Sequence, residues 1–149
     1  MRHVYDCPMR WADMDSLGHV NNVTYVDYLQ EARVDMLSVH ARTNAADDLA
    51  EGVVVVRHDI EFVAPLVFRT DPVRIETWVT QIRAASFTLR YEILDLLPDG
   101  VRRVYTRAET VLTPFVFAAE RPRRITPAEK ALLEQLKDTT APDPAWTAR

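Results

Sequence analysis

The chain has 149 residues, the length of one domain with a single core, and its net charge of −4 speaks against a nucleic-acid surface, which carries a basic excess. At 48% hydrophobic and 27% charged residues the composition is that of an ordinary globular protein, and no apolar run approaches the ~20 residues a membrane-spanning helix needs. The single cysteine cannot form an internal disulfide and the first eight residues, MRHVYDCP, lack the apolar core of a signal peptide, so a cytoplasmic location is expected.

In chain order, residues 4–11 alternate between apolar and polar and are interrupted by Pro8, which predicts a short strand at a sheet edge. Residues 13–20 read as a loop. From about residue 21 to residue 40 there is no proline or glycine, and Tyr25, Tyr28, Leu29, Ala32, Met36 and Val39 recur at helical spacing. Val23, Val26 and Leu37 widen that stripe, which predicts a long helix enclosed on most sides, with Asp27, Glu31 and Asp35 left over. Residues 41–52 are polar and alanine-rich, a loop with a short helical turn.

The period then changes. Residues 53–63, 73–82, 87–97 and 101–117 are rich in β-branched and aromatic residues and predict four strands. Ala64-Pro65, Thr70-Asp71-Pro72, Arg83-Ala84-Ala85-Ser86 and Pro98-Asp99-Gly100 punctuate them, and such short connections imply antiparallel neighbours. Thr126-Pro127-Ala128-Glu129 reads as an N-cap opening a short helix over residues 127–136, with Ala131, Leu132 and Leu136 inward and Glu129, Lys130, Glu134 and Lys137 in water. One domain is expected over residues 1–137, followed by a loose tail at 138–149. The fold class is α+β: a curved five-stranded antiparallel sheet wrapped around one long central helix, with an open edge or face covered by a second subunit.

The unusual chemistry is concentrated between Arg10 and Arg33, where Asp13 and Asp15 precede Gly18, His19 and Asn21-Asn22 just as the long helix begins. Unpaired N–H groups at a helix start can hold a carbonyl oxygen that is becoming negative, and a carboxylate beside them can attack that carbonyl or activate water. Acids before a helix are commonly caps or turn formers. A calcium loop fails because Leu17 and Thr24 stand where oxygen ligands are required, and His19 has no cysteine or second histidine near it, so no metal is expected. No Gly-x-Ser-x-Gly occurs, and Cys7 reads as a buried, inert thiol. Glu31 on the enclosed helix calls for an ion pair with Arg10 or another arginine, while Tyr25 and Tyr28 read as core residues with satisfied hydroxyls. Arginines at hairpin ends, Arg83 among them, are either solvated surface or phosphate contacts.

The stretch RWADMDSLGHVNNVTYVDYLQEAR resembles the signature of hotdog-fold acyl-CoA thioesterases of the 4-hydroxybenzoyl-CoA thioesterase type, which include Tol-Pal-associated and long-chain acyl-CoA members. The resemblance extends in element order over residues 3–117. It implies Asp15 as the catalytic carboxylate and the Asn22 backbone N–H as the oxyanion donor, with Gly18, His19, Asn21, Tyr25 and Arg83 on the substrate-binding side. It further implies an aliphatic acyl-CoA or acyl-carrier-protein thioester as substrate, no cofactor, and a homodimer or homotetramer with active sites at the subunit interface. In the β-hairpin where relatives grip the nucleotide with several basic residues, only Arg83 is basic and Ala84 and Ala85 follow it, so the phosphate contacts differ. Two other readings stay open: a dehydratase or hydratase acting on acyl thioesters, and a non-catalytic acyl-thioester binding module.

Overall fold

The computed structural model describes residues 1–43, 46–138 and 140. Five strands form one antiparallel sheet: β1 (His3–Cys7), β2 (Val53–Phe62), β3 (Val73–Ile82), β4 (Phe87–Leu96) and β5 (Arg102–Val116), in the spatial order β1-β3-β4-β5-β2, and a two-residue β6 (Arg121–Pro122) adds to β5. Three helices accompany them: α1 (Asn22–Thr43), α2 (Asp47–Glu51) and α3 (Pro127–Gln135). This is the hotdog architecture, a curled antiparallel sheet packed on one long helix.

β1 ends before Pro8 and occupies a sheet edge, as a strand closed by proline should. Residues 11–13 are a 3₁₀ turn rather than strand. The β4–β5 hairpin closes at Pro98-Asp99-Gly100, where Gly100 adopts φ 83° and the Leu97 N–H donates to the Val101 carbonyl at 2.9 Å. One pairing differs from expectation. β2 and β3 follow each other in sequence but lie apart, because residues 63–72 carry the chain from the β2 edge back to a place beside β1. That crossing segment forms a wall of the candidate site.

The concave face of the sheet supplies the core. Phe87, Leu89, Tyr91 and Ile93 of β4 are fully buried against Leu29, Ala32 and Met36 of α1, and Leu132 and Leu133 of α3 close one end with Leu136 just after it. α1 is covered on one side only: Val23 is 66% exposed, Val34 53% and Val39 49%. The expected enclosure on most sides is therefore absent within one chain, because five strands curl around only part of the helix. Glu31 is exposed and makes no ion pair among the described residues. The buried charge on α1 is instead Arg33, whose Nη1 donates to the Tyr91 hydroxyl at 3.4 Å.

α3 begins as the sequence predicts, with the Thr126 hydroxyl accepting from the Glu129 N–H. Glu129, expected in water, is buried, since it returns the capping bond to the Thr126 N–H and takes both guanidinium nitrogens of Arg123. On the convex face Glu76 gathers Arg2, Arg74 and Arg102. Asp138, the first residue of the expected tail, is tied to Arg2, and the rest of that tail apart from Thr140 lies outside the described residues.

Candidate active site

The loop before α1 is a small hairpin. The Asp15 N–H donates to the His19 carbonyl at 2.8 Å, the Gly18 N–H donates to the Asp15 carbonyl at 3.1 Å, and Met14 bridges Val20. Aspartate favours the first position of such a turn, and Gly18 takes the left-handed position at φ 78°, which a side chain would strain. Asp15 Oδ1 accepts from the Leu17 N–H at 2.9 Å and the His19 N–H at 3.4 Å. Its other oxygen has no donor among the described residues.

The two acids of the Asp-Met-Asp motif have separate duties. Asp13 is 2% exposed and accepts from the Arg10 N–H, the Arg10 guanidinium and the Tyr28 hydroxyl, tying the 3₁₀ turn to α1. Burial alone would raise its pKa. The donors from Tyr28 and Arg10 outweigh that and hold its carboxyl below the ordinary range.

Asn21 organises the start of α1. Its Oδ1 accepts from the Val23 N–H at 2.9 Å and its carbonyl accepts from the Thr24 N–H at 2.9 Å. This leaves the Asn22 N–H, the first of the helix, without an acceptor among the described residues. Asn22 lines the same cavity as Asp15. That cavity, about 460 Å³, is also bounded by His19, Val20 and Tyr25 from this segment and by Phe62, Val63, Ala64 and Pro65 from the end of β2 and the crossing segment.

Three contacts fix the two walls together. His19 bridges Val67, the Val20 N–H donates to the Leu66 carbonyl at 2.9 Å, and the Leu66 N–H donates to the Tyr25 hydroxyl at 3.2 Å. Tyr25 is buried with its hydroxyl used in this way, and its ring lies 5.4 Å from that of Phe62. Burial raises the Tyr25 pKa, with the Leu66 N–H opposing and the charge of Asp15 adding to the rise.

Asp15, His19, Asn22 and Tyr25 thus meet in one cavity, while Gly18 and Asn21 shape its rim through backbone geometry. Arg83 is exposed on the β3–β4 hairpin and does not line the cavity within one chain. The apolar wall at 62–65 has no signal in the sequence beyond the Ala64-Pro65 break, since only the tertiary contacts bring it to residues 15–25. Cys7 is buried and its thiol is pushed up to about 12, chiefly by burial, which fits an inert residue. Among the described residues no group of three or more His, Cys, Asp or Glu side chains is placed to hold a metal ion, and no helix is long and apolar enough to cross a membrane.

A family model described as the thioesterase-like superfamily matches residues 9–136, which include every residue of this cavity. The chain belongs to that superfamily. Among solved structures, a predicted thioesterase from Bacillus stearothermophilus superposes with a TM-score of 0.79 at 18% identity, over 95% of this chain and 100% of that one. A mutant 4-hydroxybenzoyl-CoA thioesterase complexed with 4-hydroxybenzoyl-CoA superposes with a TM-score of 0.73 at 20% identity, over 89% of this chain and 98% of that one. YbaW, a probable thioesterase from Escherichia coli, does so with a TM-score of 0.71 at 25% identity, over 93% and 99%. Among curated proteins none matches. The superfamily's hotdog fold accounts for the position of the cavity, at the start of the long helix where the loop, the helix and the end of an edge strand converge.

Proposed function

We propose that this protein hydrolyses acyl-coenzyme A thioesters, with aliphatic acyl groups, to the free acid and coenzyme A. The observation that carries the proposal is that Asp15, one of whose carboxylate oxygens has no donor among the described residues, and Asn22, whose N–H has no acceptor among them, line one cavity in a chain of the thioesterase-like superfamily. The thioester carbonyl accepts a hydrogen bond from the Asn22 N–H, at the positive end of the α1 dipole. As the carbonyl carbon becomes tetrahedral, its oxygen gains negative charge and the bond strengthens; such a donor is worth ~3 kcal/mol of barrier.

Asp15 acts in one of two ways that need the same geometry. As nucleophile it forms a mixed anhydride while the C–S bond breaks and the thiolate leaves, and water then cleaves the anhydride and restores the carboxylate. As general base it takes a proton from water, whose oxygen adds to the carbonyl carbon before the thiolate is expelled and protonated. His19, Tyr25 and the 62–65 wall enclose the acyl end in this reading, and Gly18 and Asn21 keep the loop open to it. Arg83, at the other end of β4 from this cavity, takes no part in this reading.

The reading includes a second copy of the chain. β2 is an edge strand, Val55, Val56 and Phe62 on it are exposed, and α1 leaves Val23 and Val34 uncovered on its open side. A partner laid along this edge completes the cavity wall. The test is thiol release from short, medium, long and aromatic acyl-CoAs by the native protein and by Asp15→Asn. Release that depends on Asp15 supports the proposal; no release from any member of the panel, or an Asp15→Asn variant as active as the parent, rejects it.

A further inference from the structure

The candidate cavity has a neighbour on the crossing segment. A second cavity of about 460 Å³ shares Ala64 and Pro65 with the first and runs along residues 66–69 to Arg103 and Tyr105. Its near part is apolar, with Leu66, Val67 and Phe68, and its far end holds two arginines and no acidic lining residue. The two guanidinium groups differ in their state. Arg69 is fixed by Asp95, to which Nη1 and Nη2 each donate at 2.6 Å, and Tyr105 donates to the same carboxylate at 2.6 Å.

Arg103 is exposed at the start of β5 and has no carboxylate within ion-pair distance among the described residues. Its position beside Tyr105 is fixed by strand pairing, since Arg103 lies opposite Asp95 in the β4–β5 register. The side chain is therefore held near the cavity end, where it reaches the Tyr105 hydroxyl and its charge acts on Asp95; with Arg69 on the same carboxylate, this end has two positive charges against one negative. The β3–β4 hairpin offers nothing comparable, because Arg83 is followed by Ala84 and Ala85.

We infer that this second cavity is the subsite for the carrier end of the substrate, in which the pantetheine arm of coenzyme A lies along residues 64–69 and its phosphates meet Arg103. The inference rests on the acyl-CoA reading of the first cavity. The chemistry matches in sequence: a thioester at Asp15 and Asn22, then a flexible arm with apolar stretches against an apolar channel, then phosphate anions against a guanidinium that binds them in bidentate fashion. Arg69 serves as frame, since its donors are already committed to Asp95.

The test measures binding without catalysis. Free coenzyme A and pantetheine, which has the same arm without nucleotide or phosphates, are titrated calorimetrically into the native protein, Arg103→Glu and Arg42→Glu; the last makes the same charge change at the opposite end of α1. The native protein is expected to prefer coenzyme A by roughly ten-fold or more. Arg103→Glu should abolish that preference with pantetheine affinity unchanged, and Arg42→Glu should retain it. An Arg103→Glu protein that keeps the preference, or one that loses affinity for pantetheine equally, overturns the inference. Arg103-dependent binding of coenzyme A by a protein that releases no thiol would reject the hydrolase proposal and leave the subsite standing; thiol release with an Arg103-independent preference would do the reverse.

Discussion

The Tyr28 hydroxyl donates to Asp13 Oδ2 at 2.6 Å, and this bond separates the two acids of the Asp-Met-Asp motif. Asp13 is consumed by structure, with donors from Tyr28 and from both the backbone and the guanidinium of Arg10. Asp15, two residues on, faces a cavity. Asp13→Asn is expected to lower stability by about 2 kcal/mol, because it weakens charge-assisted bonds at a buried site. Asp15→Asn should leave the melting temperature close to the parent's and lower kcat by orders of magnitude. Thermal melts and thiol-release rates on the two variants check this; the opposite assignment of effects would exchange their roles.

The proposed oxyanion donor can be removed without disturbing the helix. Asn22 is the first residue of α1, a position where proline is tolerated because its missing N–H has no intrahelical partner. Asn22→Pro is expected to lower kcat by about 100-fold while changing the melting temperature little. Asn22→Ala, which keeps the N–H, should stay near the parent in rate. Equal rates for the proline and alanine variants would exclude the amide from the mechanism.

Stability should fall in acid. Asp13, Glu76, Asp95 and Glu129 are all held below their ordinary pKa values. For Asp95 the leading cause is the Arg69 guanidinium; for the other three, burial pushes upward and is outweighed by Tyr28 and Arg10, by Arg102 with Arg74 and Arg2, and by Arg123. The native state therefore binds fewer protons than the unfolded chain, and the stability from these groups is complete above their unfolded values of 3.8 and 4.5. It is lost as pH falls through the depressed native values. Burial also holds His40 and His58 below their ordinary value of 6.5, so melting temperatures from pH 7 down to pH 3 are expected to begin declining near pH 6.5 and to fall more steeply below about pH 5. A melting temperature that rises on acidification would contradict the pairing described.

Cys7 provides a probe of global opening. With the thiol buried and pushed up to about 12, the native protein should react with a thiol reagent at pH 8 more than about 100-fold slower than the denatured chain. Stopped-flow labelling with and without denaturant checks this. Rapid labelling of the native state would mean that β1 opens far more readily than its pairing with β3 implies.

A charge placed on the free strand edge tests the second copy. Val56 is 62% exposed and sits at the break in register between Val55 and Arg57. Val56→Lys is expected to shift the protein toward monomer in light scattering and to lower thiol release in parallel. A dimer of unchanged mass would remove β2 from the interface.

Much of the fold was legible because it follows from period and punctuation. The long helix, the four later strands, the Pro98-Asp99-Gly100 turn and the Thr126 cap each have a local cause in the chain. What was not legible depends on contacts distant in sequence. Nothing local says that β2 pairs with β5 and not β3, or that residues 62–65 face Asp15. The buried charge on α1 is an intermediate case: at about 100° per residue, Arg33 lies closer to the centre of the stripe formed by Tyr25, Leu29, Ala32 and Met36 than Glu31 does. Helix phase therefore favours Arg33 as the enclosed residue. The second cavity was invisible, because Arg69 and Arg103 belong to different strands and loops and only the fold aligns them.

The open side of α1 has a consequence for how the protein should be handled. In the proposed assembly a second copy covers the exposed valines of α1 and β2 and completes the cavity, so the shape around the reacting carbonyl depends on how many chains are present per volume. Dilution then acts as a slow inhibitor. Specific activity measured at nanomolar protein would fall below that measured at micromolar, and pre-incubation at the lower concentration would deepen the loss.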